Sequence, residues 1–128
     1  MIRGLKGFTH GYFTAALWSS VDNDGTPLDD GRDVSDIAPG ARARMEKDCA
    51  AFYENWHPLW DEAPDGADYS VDERAGHDFW LTRNGHGAGF WDRPEVYGEE
   101  NARRLTDASK ASGSCDLIVG DDDLVYTL

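Results

Sequence analysis

The chain reads as one α+β domain spanning residues 1–128. An antiparallel four-stranded sheet, made of two β-hairpins, is expected to carry about three helices on one face. Three observations predict this. Apolar residues recur every three or four positions in the first half of the chain. An Asn84-Gly85 pair then divides a stretch whose apolar residues match across it. Near the C-terminus, two short apolar runs flank Asp121-Asp122-Asp123.

Phe8 to Ser20 is the first expected helix, with Thr9 as its N-cap and Phe13, Leu17 and Val21 along one face. Val21 to Val34 is a polar loop with turn signals at Asn23-Asp24-Gly25 and Asp29-Asp30-Gly31. The second helix runs from Pro39 to Trp60. Ile37, Ala41, Met45, Cys49, Phe52, Trp56 and Trp60 form its apolar stripe, and Pro58 kinks or ends it near Trp56 or His57. An acidic loop follows from Asp61 to Asp72.

Gly76 to Arg93 reads as a β-hairpin with a type I′ turn at Asn84-Gly85. Arg83 then faces His86, Leu81 faces Ala88, Phe79 faces Phe90 and His77 faces Asp92, while Trp80 covers Gly89. Glu95 to Ser112 is the third helix, with Tyr97, Ala102, Leu105 and Ala108 inward. Residues 116–120 and 124–128 form the second hairpin. The tryptophans fall mostly on core positions, with Trp91 readable instead as an exposed interface anchor. Cys49 and Cys115 lack Cys-x-x-Cys spacing and are read as reduced core residues, with a disulfide between them as the alternative.

Twenty-five acidic residues against 12 basic ones give a net charge of −13. That charge disfavours direct contact with nucleic acid or an anionic membrane, and suits solubility or a basic protein partner. No membrane-spanning run is present, and residues 8–18 read as a mature helix rather than a signal peptide.

Hydrolase and P-loop motifs and the zinc-helix motif are absent, and the acids from Asp22 onward lack the glycine and glutamate of a calcium loop. No cofactor or metal is expected. The only catalytic alternative is the 76–93 segment, with His77 oriented by Asp92, or His86 beside Arg83. In a hairpin the two histidines would stand roughly 20 Å apart at about 3.3 Å per residue. An enzyme would need these groups to converge in a cleft, with His10 or His57 as further members.

Residues 11–20 (GYFTAALWSS), 33–39 (DVSDIAP), 76–93 (GHDFWLTRNGHGAGFWDR) and 116–122 (DLIVGDD) together resemble a family of small acidic bacteriophage and prophage proteins. The resemblance spans most of the chain. It implies a phage origin and a cytoplasmic site of action, and brings no catalytic or binding residues with it.

The leading expectation is a non-enzymatic accessory protein that binds a host or phage protein. Inhibition of a restriction or CRISPR complex is its specific form. Asp22, Asp24, Asp29, Asp30, Asp61, Glu62, Asp65, Asp121, Asp122, Asp123 and Trp91 are its expected binding residues. The rival expectations are a small enzyme on the 76–93 segment and a structural, replication-associated module oligomerising through Trp91 and Tyr126.

Overall fold

A computed structural model describes residues Met1–Leu128. The chain is mostly helical. Its elements are α1 (Gly4–Ser19), α2 (Pro39–Trp56), α3 (Val71–Arg83), α4 (Pro94–Tyr97), α5 (Glu99–Ala111), β1 (Leu117–Val119) and β2 (Val125–Thr127). Short 3₁₀ turns occupy Val34–Asp36, His57–Leu59 and Phe90–Asp92.

The expected four-stranded sheet is absent. Only β1 and β2 pair, antiparallel, with Ile118 opposite Tyr126. The overturned element is the 76–93 hairpin, whose first half lies inside α3. Local chemistry favours the helix at both ends. Ser70 Oγ accepts from the Glu73 amide, and Glu73 Oε1 accepts from the Ser70 amide, a reciprocal capping box. Asp72 and Glu73 lie in the first turn and Arg83 in the last, each on the side the helix dipole favours.

Asn84-Gly85 closes this helix instead of reversing a strand. The Gly85 amide donates to the Thr82 carbonyl at 3.2 Å and the His86 amide to the Leu81 carbonyl at 3.0 Å. Gly85 has φ +71°. This is the Schellman arrangement, which needs the same left-handed residue as a type I′ turn. Gly89 does not lie under Trp80; it packs against the Thr82 hydroxyl, which accepts from the Phe90 amide.

Other boundaries move for nameable reasons. The first helix begins at Gly4, not near Thr9, because α3 caps it from outside: the Gly4 amide donates to Asp72 Oδ2 at 2.8 Å. The second stops at Trp56, two residues before Pro58, where the proline is expected to end it. The expected third helix splits at Gly98, whose φ of +85° interrupts it between α4 and α5.

Three helices carry an aromatic core. Phe52 of α2 stacks on Phe79 of α3, centroids 4.0 Å apart. Phe8 of α1 stacks on Trp60 at 5.3 Å, and Phe90 joins Phe52 and Trp60 from the returning chain. Both thiols are free and buried. Trp18, placed in the core by its spacing, is 56% exposed, and Trp91 is 53% exposed.

Helices α1 and α3 cross almost backbone to backbone. A methyl group on Gly76 would overlap the Phe8 carbonyl, and one on Gly11 would overlap the Glu73 carbonyl. Gly76→Ala is therefore expected to lose about 2 kcal/mol or more despite alanine's better helix propensity. Gly40→Ala, in open space within α2, should be neutral or stabilising. Urea unfolding of the two variants checks this: equal midpoints would show that the helices do not cross this closely.

Candidate functional site

Two surfaces hold the side chains with chemical potential. The first is acidic. Asp24, Asp29, Asp30, Asp61, Glu62, Asp65 and Asp121 to Asp123 are exposed, and Asp22 is half-buried. Arg32 joins two of these groups, which are far apart in sequence. Its guanidinium lies 2.8 Å from Asp123 and 3.8 Å from Asp22. Asp22 of the 22–30 loop and Asp123 of the β1–β2 turn are therefore brought side by side.

Some of these acids hold local structure. Asp22 Oδ1 accepts from the Asp24 and Thr26 amides at 2.9 and 3.0 Å. Asp65 pairs with Arg3 at 2.7 Å and accepts from the Val71 amide, while His57 lies 2.8 Å from Asp61. Asp122 accepts from the Tyr126 hydroxyl. Asp24, Asp29, Asp30, Glu62 and Asp121 have no side-chain partner, so their charge is directed only at solvent. Trp91 borders a separate shallow depression with Pro94, Glu99 and Arg103.

The second surface is a cleft of about 300 Å³ between α1, α3 and the start of α4. His10, Thr14, Tyr69, Glu73, Arg74, His77 and Arg93 line it. Helical spacing explains the convergence: His10 and Thr14 are four apart on α1, and Glu73 and His77 are four apart on α3. Gly11 lets the two pairs face each other by bringing the backbones together.

Glu73 Oε1 is held by the Ser70 and Ile2 amides at 2.9 and 3.1 Å, leaving Oε2 at 3.9 Å from His10 Nε2. Burial opposes ionisation of Glu73, but those amide bonds outweigh it and keep its carboxyl below the ordinary range. Burial, then the charge of Arg93, holds the His77 imidazole below its usual value. It is therefore mostly neutral at pH 7. The exposed Trp18 ring lies 5.8 Å from it.

Of the four residues considered for catalysis, His77 alone lines this cleft. The pairing of His77 with Asp92 disappears with the hairpin; Asp92 instead accepts from the Gly89 amide. Arg83 is a core residue with 2% side-chain exposure. It donates to Tyr12 Oη and Asp48, each at 2.9 Å, and to the carbonyls of Gly113 and Ser112 at 2.7 and 3.0 Å. His86 is half-buried past the end of α3. Tyr69, Glu73, Arg74 and Arg93 were not singled out from sequence. The available signal was the Ser70-x-x-Glu73 box, which sets the helical face on which Glu73 and His77 meet.

Behind Arg93 lies a buried carboxylate. Asp78 accepts from Arg93 Nε at 3.0 Å and from the Tyr97 hydroxyl at 2.7 Å. Burial pushes its pKa up to about 6, against the opposing pull of Arg93 and Tyr97. No group of three His, Cys, Asp or Glu side chains is placed to hold a metal ion. No family model, curated protein or solved structure matches the chain.

Two outcomes follow from these buried charges. Arg83→Lys keeps the charge but cannot span four acceptors, and is expected to cost about 3 kcal/mol or more in chemical unfolding. A cost under ~1 kcal/mol would mean that the network is not the tie described. For Asp78 the folded pKa lies above the unfolded one. Its favourable contribution is thus complete below about pH 4 and is lost as pH rises through about 6. The stability of the wild type relative to Asp78→Asn should fall by roughly 2–3 kcal/mol across that window. A difference independent of pH would contradict the raised pKa.

Proposed function

We propose that this is a phage-type, non-enzymatic accessory protein that binds a basic surface of a host or phage protein. The observation that carries this reading is the single acidic face assembled around Arg32 from the 22–30 loop and the 121–123 turn. Most other features of the charge distribution sharpen it. Arg83 is buried, and Arg32 and Arg93 are engaged with internal or neighbouring carboxylates. The exposed surface is accordingly even poorer in free cations than the net charge of −13 implies.

Closely spaced exposed carboxylates present a charge pattern like that of a nucleic acid backbone. The partner class we propose is therefore a nucleic-acid-binding defence complex of the restriction or CRISPR kind, with the acidic face occupying its basic groove. The proposal places this action in the host cytoplasm. No helix is long and apolar enough to cross a membrane. The resemblance of residues 76–93 and the other three blocks to phage proteins supports the setting.

The test combines Asp29→Asn, Asp30→Asn and Asp121→Asn, which removes charge without touching the structural roles of Asp22, Asp122 and Asp123. The tagged protein is exposed to nuclease-treated host lysate, and its partner is then purified for direct titration. Electrostatic docking predicts elution at moderate salt and roughly tenfold weaker binding by the triple variant. Glu62→Gln, on another part of the surface, should change little. Binding unaffected by both salt and the triple variant would refute the proposal.

A further inference from the structure

The cleft between α1 and α3 has a composition unlike the rest of the surface. In a chain of net charge −13 it gathers two arginines, two histidines and a threonine hydroxyl around one carboxylate. That carboxylate is largely committed. Glu73 Oε1 is occupied by two amides, and Oε2 faces His10. The donors are less committed. Arg74 stacks over the Tyr69 ring at 4.7 Å and donates from one Nη to the Tyr69 hydroxyl, leaving its other Nη without a protein partner. Arg93 is fixed from behind, its Nε on Asp78 and its side chain one-third exposed. No protein hydrogen bond fixes the His77 ring.

From this arrangement we propose that the cleft is a binding site for a small phosphate monoester, with Arg74 and Arg93 as its charged donors and His10 and His77 completing the oxyanion shell; the Thr14 hydroxyl lines the wall, its proton held by the His10 carbonyl at 2.9 Å. Donors on three segments, α1, α3 and the chain just before α4, approach from different directions. That suits the several oxygens of a tetrahedral phosphate better than a planar carboxylate, and guanidinium groups bind phosphate with strong, oriented hydrogen bonds. The volume of about 300 Å³ lies at the lower end for small-molecule sites of about 300–1,000 Å³. It leaves room for a small organic group beside the Tyr69 ring. The acidic face does not forbid an anion here, because surface charges are screened beyond about 8 Å at physiological salt.

Binding makes a specific mark on His77. The charged groups around it are Arg93, Glu73 and Arg74, with His10 across from α1. A bound dianion would favour the imidazolium and raise the His77 pKa from its depressed value.

The experiment is an NMR titration of the folded chain with inorganic phosphate and with phenyl phosphate, reading the four histidine imidazoles. His57 and His86 lie outside the cleft and act as internal controls. Saturable shifts at His10 and His77, with an upward move of the His77 titration, are expected. Arg74→Gln should weaken phenyl phosphate binding about tenfold, the scale of one charge-assisted hydrogen bond, with the thermal midpoint unchanged. Should that variant fail to fold, His77→Gln is the second probe and should also weaken binding. Unsaturated or equal shifts at all four histidines, or undiminished binding by folded variants, would overturn the site. Acetate binding as tightly as phosphate would overturn its assignment to phosphate esters.

Discussion

The close crossing of α1 and α3 is the constraint from which most of the remaining structure follows. Gly76 sits against the Phe8 carbonyl and Gly11 against the Glu73 carbonyl, so each helix supplies the glycine that admits the other's backbone. At that separation the start of α3 reaches the start of α1. Asp72 takes the Gly4 amide, Glu73 takes the Ile2 amide, and Ser70 donates to the Ile2 carbonyl. Helix α3 caps itself through its Ser70–Glu73 box, and the same first turn finishes the start of α1. The same approach stacks Phe8 on Phe79 on the inner side and faces His10 and Thr14 toward Glu73 and His77 on the outer side. The packing of the core and the geometry of the cleft thus share one cause.

Polar ties lock the segments that this crossing does not reach. Arg83, at the end of α3, binds α1 through Tyr12, α2 through Asp48 and the chain leaving α5 through two carbonyls. Asp78, one turn earlier, holds the returning chain through Arg93 and Tyr97. A buried ion pair adds little net stability over a well-packed apolar substitute, but breaking one by removing a partner is costly. Such ties specify one arrangement over others. They explain why so small a helical domain keeps several charges inside while the net charge outside is strongly negative.

The sequence displayed the first two helices, the C-terminal hairpin and most core residues, because each depends on local periodicity and turn chemistry. The centre misled for a specific reason. Asn-Gly satisfies both a type I′ turn and a Schellman C-cap, and aromatic residues that match across a hairpin also lie on the buried side of a helix. The discriminating signal was upstream, in Ser70-Val71-Asp72-Glu73, where a capping box precedes an apolar run. Three consecutive apolar residues at Phe79-Trp80-Leu81 also break the strict alternation of a half-buried strand. The acidic residues were visible from composition. Their assembly around Arg32 was not, because it joins residues 22 and 123 through tertiary structure alone.

The cleft was hidden by the same misreading, and its location shows what the corrected helix changes. On a strand, Glu73 would not belong to the segment, and His77 would look toward Asp92 across a sheet. On a helix that begins at Val71, Glu73, Arg74 and His77 share the half-buried side that lines the cleft, while Asp78, Phe79 and Arg83 turn inward. Adjacent residues His77 and Asp78 therefore serve opposite surfaces: one faces the cleft, and the other anchors, from below, the arginine that closes it. That division follows from the helical repeat. It gives Arg93 a fixed position at the cleft's edge without using any acid of the 22–30 loop or the 121–123 turn.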